Sequence, residues 1–493
     1  MLQLPSQRTA FGHPAGLFLL FGTELWERFS YYAMRAILVL YLADAAMAAG
    51  GKGLGWSQAD AISLYGTFTM WVYITPLIGG WLADNLIGQR KAIIAGGILM
   101  AAGQFALGTP HAWVAGHETT MLYLGLTLLI IGNGLFKPNI STMVGDLYKP
   151  GDQRRDGAFT IFYMGINIGA FLSGIVVGEV VRGFGGSYQA GFICAGIGMV
   201  ISLIMQMVLA QRLLGDIGTT PAAKRDAAMH TGTEVRKTPL TAEEVDRFKV
   251  ILILGLFTII FWAGFEQAGG LMNIYADRYT DRTVEVMEWS WTVPTTYFQS
   301  LNPLFIIIFA PIVALIWMRL GQREPNSPVK FSLALVLLAI GFLCMVGAVF
   351  DQAAAADGRA AMWWLVAAYL FHTLGELCLS PIGLSMVTKL APLRLASLMM
   401  GTWFLFIAAA NKIAGLIGSL IGSEEASEAE LVDNAIAIFG GIAVTSVIAA
   451  VILFFMANKL VYWMHGAEDK TTSIDDELKV TADHDLVLDK PKA

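Results

Sequence analysis

Charged residues, cysteines and catalytic motifs are all scarce in this chain of 493 residues. Charged residues make up 14% of it, whereas soluble domains carry about 25%, so an ordinary soluble fold is excluded. The three cysteines, Cys194, Cys344 and Cys378, lie inside apolar segments, and we expect neither a disulfide framework nor a metal site. HExxH and GxSxG motifs are absent and the histidines are mostly peripheral, so we predict no catalytic residues, no enzyme activity and no cofactor.

Hydrophobic residues dominate instead. They make up 56% of the chain, and the mean hydropathy is +0.61. This composition predicts a multi-pass membrane protein whose surroundings are a lipid bilayer, with no nucleic-acid partner.

Apolar runs of about 20 or more residues recur along the chain, each long enough to cross a bilayer. They lie at 14–42, 57–86, 90–108, 119–147, 156–182 and 188–213, and then at 248–277, 297–320, 329–350, 360–390, 394–422 and 432–463. Lipid offers bare backbone groups no hydrogen-bond partner, so we predict twelve transmembrane helices and an all-α membrane protein.

A polar segment divides these spans into two sets of six. We predict an N-terminal six-helix bundle over 1–213, a cytoplasmic linker over 214–247, a C-terminal six-helix bundle over 248–465 and an acidic, disordered cytoplasmic tail over 466–493. Lys and Arg concentrate in the loops after even-numbered helices, so the positive-inside rule places both termini in the cytoplasm. This layout is that of the major facilitator superfamily.

The first span carries four charged residues, Glu24, Glu27, Arg28 and Arg35. At 100° per residue they share one helix face with a pair of tyrosines, Tyr31 and Tyr32. A lipid-facing charge at mid-membrane costs roughly 2.5–3.5 kcal/mol, so this face must meet partner charges or a water-filled cavity.

Four other spans carry an ionisable residue away from their ends: Lys137, Glu266, Glu376 and Lys412. Helical rise places Lys137 level with the inner charges of the first span, in a near-neutral cluster that faces Glu376. Arg35 and Glu266 would form a salt bridge between the halves, nearer the outer surface. Because buried ion pairs stabilise a static bundle poorly, we favour a transport role over a structural one. Lys412 is expected to extend toward the outer surface.

The loop between the second and third spans resembles the cytoplasmic signature loop of the superfamily. Its matching residues are Gly80, Asp84, Gly88 and Arg90. Glycines allow close helix approach, and Asp84 can cap or pair across an interface that changes with state. The alternative is an ordinary tight loop with basic anchors.

Motifs in both halves resemble those of proton-dependent oligopeptide transporters, the POT or PTR family. ELWERFSYY at 24–32 resembles the family's ExxERFxYY motif. Further matches are GNGLFKPN at 132–139, FYMGINIG at 162–169, FWAGFEQ at 261–267, LNPLF at 301–305, GELCLSP at 375–381 and Trp403.

The resemblance implies a monomeric, proton-coupled symporter that imports di- and tripeptides by alternating access across a bacterial inner membrane. Arg28 and Lys137 would hold the peptide carboxylate, and Glu376 the amino end. The other peptide-binding residues would be Tyr32, Tyr73, Tyr163, Asn167, Trp262, Asn302, Ser380 and Trp403. Proton coupling would use Glu24, Glu27, Arg28, Lys137, Glu266 and Arg35, with Arg35 and Glu266 forming a gate.

Two departures from the family narrow this interpretation. The run Tyr65-Gly66-Thr67 lacks the histidine of mammalian members, which leaves carboxylates as the proton sites. The segment 214–247 is too short and polar for the two extra helices of many bacterial members.

The alternatives are a same-fold symporter for another small anionic or zwitterionic solute, a drug-efflux transporter and a pore. Glu376 argues against nitrate as the solute, because a carboxylate does not attract an anion. The ordered charges argue against drug efflux, and saturable accumulation would exclude a pore.

Overall fold

The computed structural model describes residues 9–46, 50–149, 152, 154–221, 240–287, 289–391, 395–421 and 428–467. The centre of the predicted linker, 222–239, and all of the predicted tail beyond 467 lie outside these residues.

Twelve long helices account for most of the described chain, six before the predicted linker and six after it, and we call these two sets the halves. The N-terminal half contains α1 (Ala15–Ala43), α2 (Gln58–Leu82), α3 (Gln89–Leu107), α4 (Glu118–Asp146), α5 (Arg154–Gly183) and α6 (Tyr188–Leu214). The C-terminal half contains α7 (Ala242–Phe265), α8 (Leu301–Leu320), α9 (Ser327–Ala354), α10 (Trp363–Leu390), α11 (Ala396–Gly418) and α12 (Glu428–Trp463).

Eleven helices of the described chain are long and apolar enough to cross a membrane. The long helix outside that set is α1, which carries four charged residues. It is nonetheless enclosed by protein, since it packs against α5 and α6, and Leu17, Leu20 and Ile37 are fully buried.

The two ends of the bundle are defined by different parts of the chain. At one end, which we call the terminal end, Gly16 at the start of α1 packs against Leu214 at the end of α6. There Arg247 of α7 also donates hydrogen bonds to the main-chain carbonyls of Met464 and His465, both at 3.3 Å. At the opposite end, which we call the hairpin end, Arg278 donates to the carbonyl of Ala43 (2.8 Å).

Helix packing joins the halves through two main pairs, α2 with α11 and α5 with α8. The first pair is very close, because a Cβ atom on Gly66 would lie 2.5 Å from the Cα of Gly415. Small residues at such a contact let two helix backbones approach closely. By contrast, α4 and α10 share no extended packing interface within the described residues.

Short strands at the chain's turns were not predicted from the sequence. β1 (Thr9–Ala10) pairs with β2 (His13–Pro14), β3 (Thr280–Asp281) with β6 (Ala360–Ala361), and β4 (Thr283–Val286) with β5 (Trp289–Thr292). β3 follows a 3-10 turn at Glu266–Gly269 and a short helix at Leu271–Arg278, which together prolong α7.

Candidate transport site

Three charged residues of α1 form one buried group. Arg28 Nε lies 3.2 Å from Glu24 Oε1, and Arg28 Nη2 donates to Glu27 Oε1 at 2.6 Å. Arg28 Nε also pairs with Glu27 Oε2, and Asn133 of α4 donates to Glu27 Oε1 (3.4 Å). Glu24 Oε2 has no hydrogen-bond partner among the described residues. Arg28 is therefore held by two carboxylates, of which Glu27 is the more fully satisfied.

Lys137 of α4 lies near this group but does not join it through an ion pair. Its ammonium lies 4.7 Å from the ring centroid of Tyr73 on α2, in a cation–π contact. Its ammonium interacts electrostatically with the carboxylates of Glu24 and Glu27 over a longer distance. No described carboxylate lies in salt-bridge range of Lys137. The side chain is partly exposed, so its positive charge is available to a ligand.

Glu376 of α10 is the corresponding group in the other half. Asn302 of α8 donates to Glu376 Oε2 (2.8 Å) and to Thr373 Oγ1 (3.1 Å). Thr373 in turn donates to the carbonyl of Tyr369 (2.7 Å), which fixes this chain of contacts to the helix. Glu376 forms no ion pair with a described cation, and it is partly exposed.

Aromatic and amide side chains surround the space between these charges. Tyr163 of α5 is 44% exposed and lies within electrostatic range of the Glu376 carboxylate, so its ring faces the interior of the bundle. Asn167, one turn later, is buried and donates to the carbonyl of Tyr163 (2.9 Å). Tyr32 lies beneath Arg35, with 5.8 Å from the guanidinium to the ring centroid.

Three other predicted binding residues have different surroundings, and one of them, Trp403, is buried. Trp403 is only 3% exposed and packs edge-on against Phe331, with ring centroids 6.4 Å apart. Trp262 packs edge-on against Phe265 (5.0 Å). The buried hydroxyl oxygen of Ser380 has no hydrogen-bond partner among the described residues. For Trp403, contact with a ligand would require a rearrangement.

Arg35 and Glu266 form an ion pair that joins the two halves. Glu266 lies in the 3-10 turn that follows α7, and the Arg35 guanidinium also lies 5.6 Å from the ring centroid of Tyr65. Tyr65 packs so tightly against Gly269 that no side chain fits at that glycine. The pair is thus enclosed on the side of α2 as well.

The three residues Tyr65, Gly66 and Thr67 each contact the C-terminal half. Tyr65 contacts Gly269, Gly66 contacts the α11 backbone, and Thr67 Oγ1 accepts a hydrogen bond from Lys412 (2.7 Å). The prediction that Lys412 extends toward the outer surface stays a prediction, and this hydrogen bond is a contact that the sequence did not indicate. An ammonium partly removed from water needs a hydrogen-bond acceptor, and the Thr67 hydroxyl offers one because its own proton goes to the carbonyl of Ser63 (2.9 Å).

Comparison with known proteins decides the family. Residues 90–213 and 223–432 match the model of the POT family, PTR2. This chain belongs to the POT family. It is therefore a multi-pass membrane transporter and not an enzyme, and the family predicted from the motifs is confirmed.

Named relatives of this POT chain cover more than four fifths of its length. The peptide transporter YePEPT of Yersinia enterocolitica is 34% identical over 95% of this chain and 99% of its own. A di-/tripeptide transporter of Lactococcus lactis subsp. cremoris is 35% identical over 81% of this chain and 88% of its own. A crystal structure of the peptide transporter POT in complex with sulfate superimposes with a TM-score of 0.81 and 36% identity, covering 93% of this chain and 97% of that one.

The predicted signature loop of this POT chain docks on the segment that follows α6. Gly88 has φ +84°, and a Cβ there would lie 2.8 Å from the carbonyl oxygen of Thr219. The Arg90 side chain donates to the carbonyl of Gly215 (2.6 Å). A Cβ atom on Gly80 would lie 3.6 Å from Pro138 of α4, and Asp84 lies in a π-helical turn over Ala83–Ile87.

Sequence reasoning missed Asn133, Thr373 and Tyr65 as contacts of the charged residues. For two of these residues, Asn133 and Thr373, the sequence contained enough information to predict the contact. Asn133 lies one turn before Lys137 within the GNGLFKPN motif, and Thr373 lies three residues before Glu376, so helical spacing places each beside a charge. Tyr65 entered the sequence analysis only as the neighbour of Gly66, which stands where mammalian members carry histidine.

Proposed function

We propose that this chain is a monomeric, proton-coupled symporter that imports di- and tripeptides by alternating access across a bacterial inner membrane. One observation carries the proposal. Lys137 and Glu376 belong to opposite halves, are partly exposed and have no counter-ion in the described part of the chain. The names of the relatives, a peptide transporter and a di-/tripeptide transporter, agree with it.

A short peptide complements these two charges. The separation of its carboxylate and ammonium groups depends on the number of residues in its backbone and not on its side chains. Lys137 would bind the carboxylate and Glu376, oriented by Asn302, the ammonium. Tyr73 and Tyr163 would line side-chain pockets, because aromatic rings tolerate varied apolar guests. Since α4 and α10 share no extended interface, the peptide would bridge the halves.

Proton uptake is assigned to the buried group on α1. Protonating Glu24 breaks the fewest hydrogen bonds, because its Oε2 has no partner among the described residues. A neutral Glu24 would loosen Arg28, which could then turn toward the peptide carboxylate beside Lys137. Glu27, which holds Arg28 through both oxygens, would keep the guanidinium near the site.

Alternating access would involve the contacts at the hairpin end. There Arg35 pairs with Glu266, and Asn273 donates to the carbonyl of Ala36 (3.0 Å). Releasing Arg35 from Glu266 would let the halves rock apart at this end. The positive-inside rule makes the terminal end cytoplasmic, so the present arrangement corresponds to a carrier closed to the outside.

The same assignment includes α1 as the twelfth span. Its charged face meets α4 and the 3-10 turn after α7 rather than lipid. We retain the division into bundles at 1–213 and 248–465, with the linker and the acidic tail in the cytoplasm.

Uptake of labelled dialanine into proteoliposomes with an imposed inward proton gradient tests the proposal. We expect accumulation above the external concentration, abolished by a protonophore. Glu24→Gln should abolish gradient-driven accumulation and leave peptide counterflow. The absence of accumulation by folded wild-type protein would refute proton-coupled peptide transport.

The second candidate is a symporter for another small anionic or zwitterionic solute, since Lys137 and Glu376 do not by themselves require a peptide bond. Competition assays distinguish a peptide symporter from a symporter for another such solute. Glu376→Gln should weaken dialanine competition by about 10–150-fold, the loss of a charged hydrogen bond worth about 1.5–3 kcal/mol. N-acetyl-dialanine should be unaffected, and Glu285→Gln, an exposed carboxylate outside the site, serves as control. If zwitterions without a peptide bond outcompete dialanine, the second candidate prevails.

A further inference from the structure

The hairpin formed by β4 and β5 has one apolar face and one polar face. Its strands are antiparallel, with Val284 opposite Trp291 and Glu285 opposite Ser290. Because side chains alternate along a strand, Val284, Trp289 and Trp291 share one face. The opposite face carries Thr283, Glu285, Ser290 and Thr292.

The apolar face is exposed at Trp289, whereas Val284 and Trp291 are partly buried. Trp289 is 57% exposed, and Met287, in the turn between the strands, is 100% exposed. The rings of Trp289 and Trp291 stack at 6.0 Å with an interplanar angle of 26°. An exposed cluster of large apolar side chains marks a surface that meets lipid or another protein.

The base of the hairpin fixes the direction of this face. Arg282 donates to the carbonyl of Val293 (2.9 Å) and pairs with Asp277 (3.3 Å), which closes the base. Trp291 packs edge-on against Tyr297 (5.7 Å), and Tyr297 donates to Glu179 at the end of α5 (2.8 Å). The apolar face therefore leans on the helix ends instead of projecting freely into water.

The surface next to this face belongs to the spanning helices. An apolar groove runs from Tyr297 along α5, α8 and α10, lined by residues that include Phe171, Ile175 and Leu304. At the same end of the bundle, exposed aromatic rings mark the ends of α5, α9 and α10, at Phe184, Phe350 and Trp363. Aromatic residues at such a level form the belt where a membrane protein meets the lipid–water boundary.

We propose that the apolar face of the hairpin binds the lipid–water boundary of the leaflet at the hairpin end, with Trp289 and Met287 inserted among the lipid headgroups. Continuity with the surface of the spanning helices favours lipid over a protein partner. The polar face, with Glu285 and Ser290, then points to water. Because the hairpin follows the turn that holds Glu266, this anchor keeps that part of the chain at a fixed depth.

Site-directed spin labelling tests the contact with lipid. Labels are placed at Trp289→Cys and, as matched control, at the adjacent Ser290→Cys, in a background with Cys194→Ser, Cys344→Ser and Cys378→Ser. In phosphatidylcholine–phosphatidylglycerol vesicles we expect the label at 289 to collide more with oxygen than with a nickel chelate. The label at 290 should show the reverse.

Two outcomes would overturn the proposal. Equal preference for nickel at both positions would mean that the face lies in water. Low accessibility to both reagents at 289 would mean that a protein, such as a second copy of the chain, covers it. Quenching by brominated lipids provides a test without cysteines: Trp289→Phe should reduce the quenched fraction of tryptophan fluorescence, and the buried control Trp403→Phe should not.

Discussion

Replacing Glu266 by glutamine should separate the two halves at the hairpin end. The side chains of Glu266 and Arg35 are 3% and 12% exposed, so the ion pair between them is almost fully removed from water. Removing one partner of a buried pair costs about 3–5 kcal/mol, because the remaining charge is left uncompensated. Glutamine retains one acceptor for Arg35, and we therefore take the lower value, about 3 kcal/mol.

That free energy is large for a conformational equilibrium. About 3 kcal/mol corresponds to a change of about 150-fold in an equilibrium constant. A conformation open at the hairpin end and populated at about 1% would rise to about 60%. In that conformation Arg35 reaches water, so the penalty applies to the closed state alone.

Electron–electron distance measurements between spin labels would detect the shift. Exposed positions exist at the hairpin end of each half, and Lys52→Cys and Arg359→Cys give one label on each. With the native cysteines replaced, Glu266→Gln should add a long-distance population. The exchange Arg35→Glu with Glu266→Arg should restore the short one.

The control is Glu285→Gln, which removes an exposed carboxylate at the same end without touching the pair. An unchanged distance distribution in folded Glu266→Gln protein would show that the ion pair does not hold the halves together. An equal change in the control would show that net charge at the hairpin end, and not the pair, is responsible.

Three further substitutions test other contacts. Lys137→Gln should raise the half-saturating dialanine concentration in counterflow by about 10–150-fold, because it removes a charged hydrogen bond. Lys412→Gln, which lies outside the site, should leave that concentration unchanged. Gly66→Ala should lower the melting temperature, because overpacking against α11 costs about 1–3 kcal/mol, while Gly440→Ala should not, since nothing lies within 4 Å of its Cβ position. Thr67→Val should also lower the melting temperature, because leaving the Lys412 ammonium without this acceptor costs about 1–3 kcal/mol or more. Thr67→Ser keeps the hydroxyl and should retain the wild-type melting temperature. Equal melting temperatures for the Thr67→Val and Thr67→Ser proteins would refute the contact.

The spanning segments were predictable because hydropathy and length decide them. The run predicted at 188–213 corresponds to α6 at Tyr188–Leu214, and the run at 360–390 to α10 at Trp363–Leu390. For α7, the sequence predicted a start at residue 248, which is later than the observed start at Ala242. A capping box between Thr241 and Glu244 begins the helix at Ala242, six residues before the apolar run at 248, because a helix can extend into water once its first amides are satisfied.

The choice of partners among the charges was not predictable. Helical spacing brought Glu24, Glu27, Arg28 and Lys137 to one region, and any pairing of opposite signs was compatible with it. The structure gives both carboxylates to Arg28 and a tyrosine ring to Lys137. That distribution depends on side-chain reach, since Arg28 lies within one turn of both glutamates on its own helix, whereas Lys137 approaches from another.

Under the proposed function, this uneven distribution of partners suits the site to a zwitterion. If Lys137 were paired with a glutamate, a peptide carboxylate would have to break that ion pair before it could bind. The free energy gained from the new ion pair would then be offset by the free energy lost with the old one. Among the described residues, the Lys137 ammonium contacts the ring of Tyr73 and the Glu376 carboxylate accepts a hydrogen bond from the neutral amide of Asn302, so under the proposed function each charge would meet a ligand without a competing counter-ion. The free-energy cost of holding these two charges inside the bundle would then be offset when one solute binds both, and one molecule could do so only while the halves lie close enough for it to bridge them.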